Sequence, residues 1–265
     1  MAARLRVMTF NVRGAYHPDG RNAWRRRRSL NARVVRGAAP DLIGFQELQR
    51  ANLRFYEREL PRYRRLPGPE YENRRPRARN AIFWDPDRLE LLESGGFWLS
   101  ETPERFSRSW GSRQVRSANW AVFRVLPSGP DLLHLNTHLD HVSAEARRRG
   151  SRLIAGRLEG VRLPVLLTGD FNCNPGSRTY EVFASAGFAD AHRRAGNPPE
   201  NTFHRFMGEG YRSGKEGRID WILVRDGGRA RWEVLSCRVV RDCEPPLYPS
   251  DHYPVVADLA LVPGV

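Results

Sequence analysis

The chain has 265 residues, 40% of them hydrophobic and 10% aromatic, with a formal net charge of +14. That length suits one large domain or two small ones, and the apolar fraction is enough for a sizeable core. No apolar run approaches the roughly 18 residues that a transmembrane helix needs, so no membrane span is expected.

The N-terminal stretch MAARLRVMTFN has neither a long apolar segment nor a small-residue cleavage site. It reads as the first strand, RLRVMTF (4–10), of a cytoplasmic protein. RRRRSLNARVVRG (25–37) places Leu30 and Val34 on one face and stops at a glycine, which predicts a helix. DLIGFQEL (41–48) follows Pro40 as a buried strand ending in polar residues. NAIFW (80–84), the turn Asp85-Pro86-Asp87 and RLELLES (88–94) read as a hairpin. SANWAVFRVL (117–126) and LLHLNTHL (132–139) flank a Pro/Gly-rich loop and read as a second hairpin. A helix over 143–158 takes Ser143 as its N-cap, with Glu145 suited to the first turn. LPVLLTG (163–169) is a strand, and a helix over 177–187 buries Tyr180 and Phe183 and stops at Gly187. RIDWILV (218–224), RWEVLSCRVV (231–240) and HYPVVADLAL (252–261) complete the strands. No repeat or low-complexity linker interrupts the chain, so residues 1–265 are expected to form a single domain. Strands outnumber helices and occur both in hairpins and in strand–helix units. The fold class is therefore α/β (α+β), two sheets packed face to face with helices outside.

The charge has two readings. A positive field attracts phosphate-rich partners such as nucleic acid. Yet Lys215 is the only lysine among 44 basic residues, a bias that a GC-rich coding background also produces. The Arg25–Arg28 run is open in the same way, between a phosphate-binding patch and a solvated helix start, although cations there oppose the helix dipole. Cys173, Cys237 and Cys243 are odd in number and lack metal-ligand spacing, so reduced thiols are expected.

Polar and acidic residues gather where the strands end: Asn11, Glu47, His138 with Asp140 and His141, and Asp170 with Asn172. Asp220 near the start of its strand, and Asp251 and His252 just before the last one, belong with them. Such residues are poor strand formers and costly if buried unpaired, so their recurrence suggests one shared site. Carboxylate and carboxamide oxygens suit Mg²⁺ or Mn²⁺ rather than zinc. Histidines beside them can donate to phosphate oxygens or move protons. Together they describe metal-assisted phosphoester hydrolysis.

The ordered set TFN (9–11), QE (46–47), NTHLDH (136–141), GDFN (169–172), RIDWILV (218–224) and SDHYPV (250–255) closely resembles the endonuclease/exonuclease/phosphatase superfamily. Pancreatic deoxyribonuclease, abasic-site endonucleases, deadenylases, sphingomyelinases and inositol polyphosphate 5-phosphatases belong to it. The stretch GFWLSETPE (96–104) is similar to a bacterial branch near the deadenylase-like members. The resemblance implies a four-layer α/β/β/α sandwich of two mixed sheets with its active site at one edge. It implies that Glu47, Asn11 and Asp251 hold Mg²⁺ or Mn²⁺, and that Asp170 orients or deprotonates the attacking water. Asn172 and His138 would contact the phosphate, and Asp220 would orient His252 against it. Arg116 and His204 are expected to face the substrate; Asp140 either joins them or acts with His141 from behind. Several relatives carry a glutamate just before the strand matching NAIFW; here that position holds Ala78, and Glu72 is the available substitute.

The expected protein is therefore a monomeric Mg²⁺- or Mn²⁺-dependent phosphoesterase, most simply a phosphodiesterase. DNA or RNA is one substrate class; a small-molecule, inositol- or lipid-derived phosphoester is the alternative. Specificity is expected in the loops at 12–28, 61–79, 100–116 and 197–217.

Overall fold

The structure is a computed structural model that describes residues 2–69, 79–212 and 217–264. Two six-stranded sheets form its centre. One has the order β11-β12-β1-β2-β4-β3, the other β5-β6-β7-β8-β10-β9. The first comprises β1 (Ala3–Asn11), β2 (Leu42–Gln46), β3 (Arg64–Leu66), β4 (Ile82–Trp84), β11 (Ala230–Val239) and β12 (Val255–Pro263). The second comprises β5 (Leu89–Trp98), β6 (Ser117–Val125), β7 (Asp131–His138), β8 (Val165–Asp170), β9 (Ala189–Asp190) and β10 (Asp220–Arg225). Each sheet holds one parallel pair, β1 with β2 and β7 with β8, among antiparallel neighbours. Both sheets are thus mixed, as the family resemblance implied.

Period-two alternation explains the layering. In β1, Leu5 and Val7 point between the sheets, while Met8 and Phe10 point to a helical layer. That layer is α1 (Trp24–Ala38) and α2 (Arg50–Glu59), which supply Leu30, Val34, Phe55 and Tyr56. On the other side, β7 and β8 present Leu133, Leu135, Val165 and Leu167 to α3 (Ala144–Arg157) and α4 (Arg178–Ser185). The Ser143 hydroxyl caps α3 by accepting from Ala146 N at 3.1 Å, and Ser177 caps α4 in the same way. The short α5 (Ala191–Arg194) follows β9.

Two sequence expectations change. The stretch 80–94 is not a hairpin. Asp85 does turn the chain, accepting from Asp87 N at 3.1 Å, but β4 pairs with β2 and β3 while β5 pairs with β6. The turn therefore carries the chain from one sheet to the other. The helix α2 was not expected; its cap is reciprocal, with Asn52 Oδ1 accepting from Gln49 N at 3.0 Å. The 117–139 hairpin is present as β6 and β7. The three cysteines are free.

Candidate active site

Register builds the site. Across three adjacent strands, His138 of β7 pairs with Asp170 of β8, and Asp170 pairs with Asp220 of β10. In the facing sheet, Asn11 ends β1 beside Gln46, the last residue of β2. These strand ends open onto one cleft of about 1890 Å³, lined at its floor by Glu47, His138, Asp170, Asn172, Asp251 and His252.

Asp170 is the focus. Its Oδ2 accepts from Asn11 Nδ2 at 2.9 Å, lies 3.2 Å from His138 Nε2 and 3.8 Å from His252 Nε2. Its Oδ1 accepts from Asn172 N at 3.0 Å, which fixes the turn after β8, where Asn172 takes φ of 52°. Burial by itself would raise the Asp170 pKa. The charges of His138 and His252 overcome that and hold it well below the usual carboxylate range. His252 Nδ1 lies 2.9 Å from Asp220 Oδ2. Burial would lower the imidazole pKa, but Asp220 and Asp170 raise it to about 10. The resting site therefore pairs a charged imidazolium with an ionised Asp170.

Glu47 leaves the ladder of β2 with φ of 60°, so its side chain turns into the cleft. It accepts from Gly14 N and Asn11 Nδ2, both at 3.3 Å, and its Oε2 lies 3.1 Å from His17 Nε2. Burial opposes its ionisation, yet the hydrogen bond with His17 and the charges of His138 and His252 hold its pKa well below normal.

The donor set fits a divalent cation. Asp251 is buried, and among the described residues its partners are the Ser250 hydroxyl at 3.3 Å and Arg13 Nε at 3.7 Å. Burial raises its pKa despite His252 and Arg13. A carboxylate so thinly compensated is stabilised by a cation, and Glu47 and the Asn11 carboxamide supply further oxygen donors. Asp170, Asp220 and His252 form a second acidic group, with ligand atoms within 4.8 Å of one another. The 2.9 Å contact between His252 Nδ1 and Asp220 marks that group as a proton-holding pair rather than an open ligand set.

The loops bearing these groups are pinned from α1. Arg27 is fully buried and donates to Asn22 O at 2.9 Å, Val12 O at 2.7 Å and Pro249 O at 2.9 Å, with Arg13 O as a further acceptor. Asn31 Nδ2 adds a bond to Pro249 O at 2.9 Å, and the Ser250 hydroxyl donates to Asn11 O at 2.7 Å. Arg27 therefore ties the segment after Asn11 to the segment before Asp251. Within the Arg25–Arg28 run it is not a phosphate patch residue but a buried clamp.

The expected substrate-facing residues divide. Arg116 lines the cleft, where its Nη2 lies 3.2 Å from His141 Nδ1 and its buried Nε has no partner among the described residues. Asp140 does not face the cleft. Its oxygens accept from the Ser112 hydroxyl and from the amides of Arg113, Gln114, Val142 and Ser143. Burial opposes ionisation, but these bonds lower its pKa to about 2, so it is a loop anchor. His204 is also turned away. Its Nδ1 accepts from Gly208 N at 3.1 Å and its ring stacks on Tyr253 at 4.0 Å. Its neighbours Phe203, Arg205 and Phe206 line the cleft instead. Asn172 Nδ2 donates to Leu139 O at 3.0 Å. Ala78 and Glu72 lie outside the described residues. His17 and Arg27 had not been singled out. His17 carries no sequence signal beyond its place in a loop after a strand end, whereas Arg27 was hidden inside an arginine run.

The chain belongs to the endonuclease/exonuclease/phosphatase family, whose model matches residues 8–252. Members of this family are phosphoester hydrolases. Among solved structures, a family member from Bacteroides thetaiotaomicron is 28% identical, with 98% of each chain covered and a TM-score of 0.87. A mannosyl-6-phosphatase from the same organism is 29% identical, covering 96% of this chain and 99% of its own, with a TM-score of 0.86. The catalytic domain of human Nocturnin, 20% identical, shares the fold over 98% of this chain and 94% of its own, with a TM-score of 0.73. No curated protein sequence matches the chain. No helix among the described residues is long and apolar enough to cross a membrane.

Proposed function

We propose that this protein is a divalent-metal-dependent phosphoesterase that hydrolyses a compact sugar phosphate or similar small phosphoester. The observation that carries the reading is the convergence of Asn11, His138 and His252 on Asp170 Oδ2, at 2.9, 3.2 and 3.8 Å. Asp170, ionised at neutral pH, accepts the proton of the attacking water. His252, charged through Asp220, faces the phosphate and stabilises the negative charge that develops on it. His138 donates from the neighbouring strand. Glu47, Asp251 and Asn11 would hold the metal, which supplies Lewis-acid polarisation of a phosphate oxygen. The small-substrate reading is supported by the mannosyl-6-phosphatase, which matches this chain over nearly its whole length.

A second reading, cleavage of a phosphodiester in DNA or RNA, is favoured by the arginines around the cleft: Arg13, Arg50, Arg54, Arg79, Arg116 and Arg205. One screen separates the two. Sugar phosphates, bis-p-nitrophenyl phosphate, and single- and double-stranded nucleic acids are offered with Mg²⁺ or Mn²⁺, with Asp170→Asn as control. Sugar-phosphate turnover that the control lacks supports the first reading. Polymer cleavage suppressed by salt replaces it with the second, and no turnover of any phosphoester sinks both.

A further inference from the structure

His17 stands out because the loop that carries it is fixed by several side chains and brings its ring against Glu47 on the cleft wall. It follows a run of three main-chain amides that are each tied to a different side chain. Gly14 N donates to Glu47 Oε2 at 3.3 Å, Ala15 N to Asn52 Oδ1 at 3.1 Å and Tyr16 N to Gln49 Oε1 at 2.7 Å. A Cβ on Gly14 would sit 2.5 Å from Gln49 Cδ, so the close approach of this loop to α2 depends on glycine there. Arg13 closes the loop from the other side, with its Nη2 2.9 Å and its Nε 3.2 Å from the two oxygens of Asp19. The result is an imidazole held with its Nε2 3.1 Å from Glu47 Oε2, on the cleft wall.

That spacing has a chemical meaning. Two donors on adjacent corners of an octahedral ion, with bonds of about 2.1 Å, lie about 3.0 Å apart. His17 Nε2 and the Glu47 carboxylate already stand at such a separation, and both open onto the same cleft. An exposed ion pair would need none of this positioning, since its two long side chains could find each other freely. Imidazole nitrogen is a poor donor to Mg²⁺, which prefers oxygen, and a good donor to first-row transition ions.

We infer that His17 is a metal-ligating residue of this cleft, and that it makes the site select a divalent first-row transition ion over Mg²⁺. The inference rests on the metal-dependent reading of the cleft and adds the identity of its ion class. Glu47, Asp251 and Asn11 alone would form an all-oxygen set without that selectivity.

The test is a calorimetric titration of Co²⁺ and, separately, Mg²⁺ into the whole protein, paired with the visible spectrum of the Co²⁺ form. His17→Ala should weaken Co²⁺ binding about tenfold or more, at least the loss caused by removing an outer partner of a metal ligand. It should also shift the Co²⁺ absorption bands while leaving Mg²⁺ affinity nearly unchanged. His17→Asn, which offers an oxygen in place of the nitrogen, should keep Mg²⁺ and lose the Co²⁺ advantage. Equal weakening of both ions, or an unaltered Co²⁺ spectrum, overturns the assignment. Glu47→Gln separates the two levels of the argument by abolishing binding of both ions. If it does so while His17→Ala changes nothing, only the His17 role fails. If the wild-type protein binds neither ion, the metal reading fails and the inference with it.

Discussion

Leu132 and Asn136 lie on the same face of the same strand, yet they belong to different solvents. At the Leu132 end the space between the sheets is filled by Leu5, Leu42, Leu132 and Leu166, a dry apolar layer. At the Asn136 end the same layer turns polar. Gln46 Nε2 donates to Asn136 Oδ1 at 2.8 Å and to Thr9 Oγ1 at 3.0 Å, and Thr168 Oγ1 donates to Asn136 Oδ1 at 3.2 Å. Asn136 Nδ2 spans to Phe45 O at 2.9 Å and Ala81 O at 3.0 Å, so it bridges the two sheets. Two residues further along each strand, on the same face, stand Asn11, His138 and Asp170. The contrast teaches how this sandwich carries a buried charged site: the core grades from apolar through a hydrogen-bond network into ionised groups. Gly44 marks the tightness of that middle zone, since a Cβ there would meet Thr168 Oγ1 at 2.1 Å. The network holds the site in place, and the apolar end supplies stability without touching chemistry.

The comparison is broken most sharply at its far end. Asp170→Asn should lower kcat by roughly a thousandfold, within the range for losing a positioned proton acceptor. Its melting temperature should fall, because the fold favours the ionised carboxylate and His252 loses a charge partner. A calorimetric scan beside the turnover assay checks both halves. In the middle zone, Asn136→Ala strands two carbonyls and the Gln46 and Thr168 donors, which should destabilise the fold by about 3 kcal/mol or more. Leu132→Ala at the dry end should cost a similar 2–5 kcal/mol, roughly, through its cavity. Only the Asn136 variant should also lose kcat per folded molecule, by about tenfold or more, because its loss displaces the site floor. Equal activity in the two variants would remove the distinction between the zones.

Acid probes His134 in the same layer and His204 on the loop behind the cleft. Burial holds His134 and His204 neutral and lowers both pKa values to about 3. The native state refuses protons that the unfolded chain accepts below its ordinary value of 6.5. The stabilisation is thus complete above that pH and is lost as pH falls towards 3. Each histidine should lower unfolding free energy by about 2 kcal/mol between pH 7 and pH 5. Urea titrations of the wild type, His134→Gln and His204→Gln measure the slope, which should flatten in each variant. The smallest effect is expected outside the layer. Arg27→Lys keeps the charge but not the fork that reaches the carbonyls around it, and should cost about 1.5 kcal/mol with a modest fall in kcat.

The sequence disclosed this grading unevenly. The site residues were legible because ionisable groups at strand ends break the alternation that otherwise buries apolar side chains. Asp170 and Asn172 were readable on that ground, and the ordered motifs then fixed the family. The partition of strands was not legible at Asp85, because a turn specifies a reversal and says nothing about which sheet takes each arm. The place of Asp140 stayed open because a carboxylate near a histidine of the site has the same sequence signature whether it faces substrate or anchors a loop. His204 failed by a single residue. A turn with positive φ at Arg205 and Phe206 sends those two side chains into the cleft and His204 behind it. Arg27 was obscured by its arginine neighbours, since only burial distinguishes a clamp from a solvated cation.

The most direct test of the central claim is hydrolysis of a sugar phosphate with Mn²⁺ in ¹⁸O-enriched water, followed by phosphorus NMR. The account predicts label in the released phosphate, turnover abolished by excess chelator, and none in Asp170→Asn. Unlabelled released phosphate, or full turnover in chelator, would contradict it.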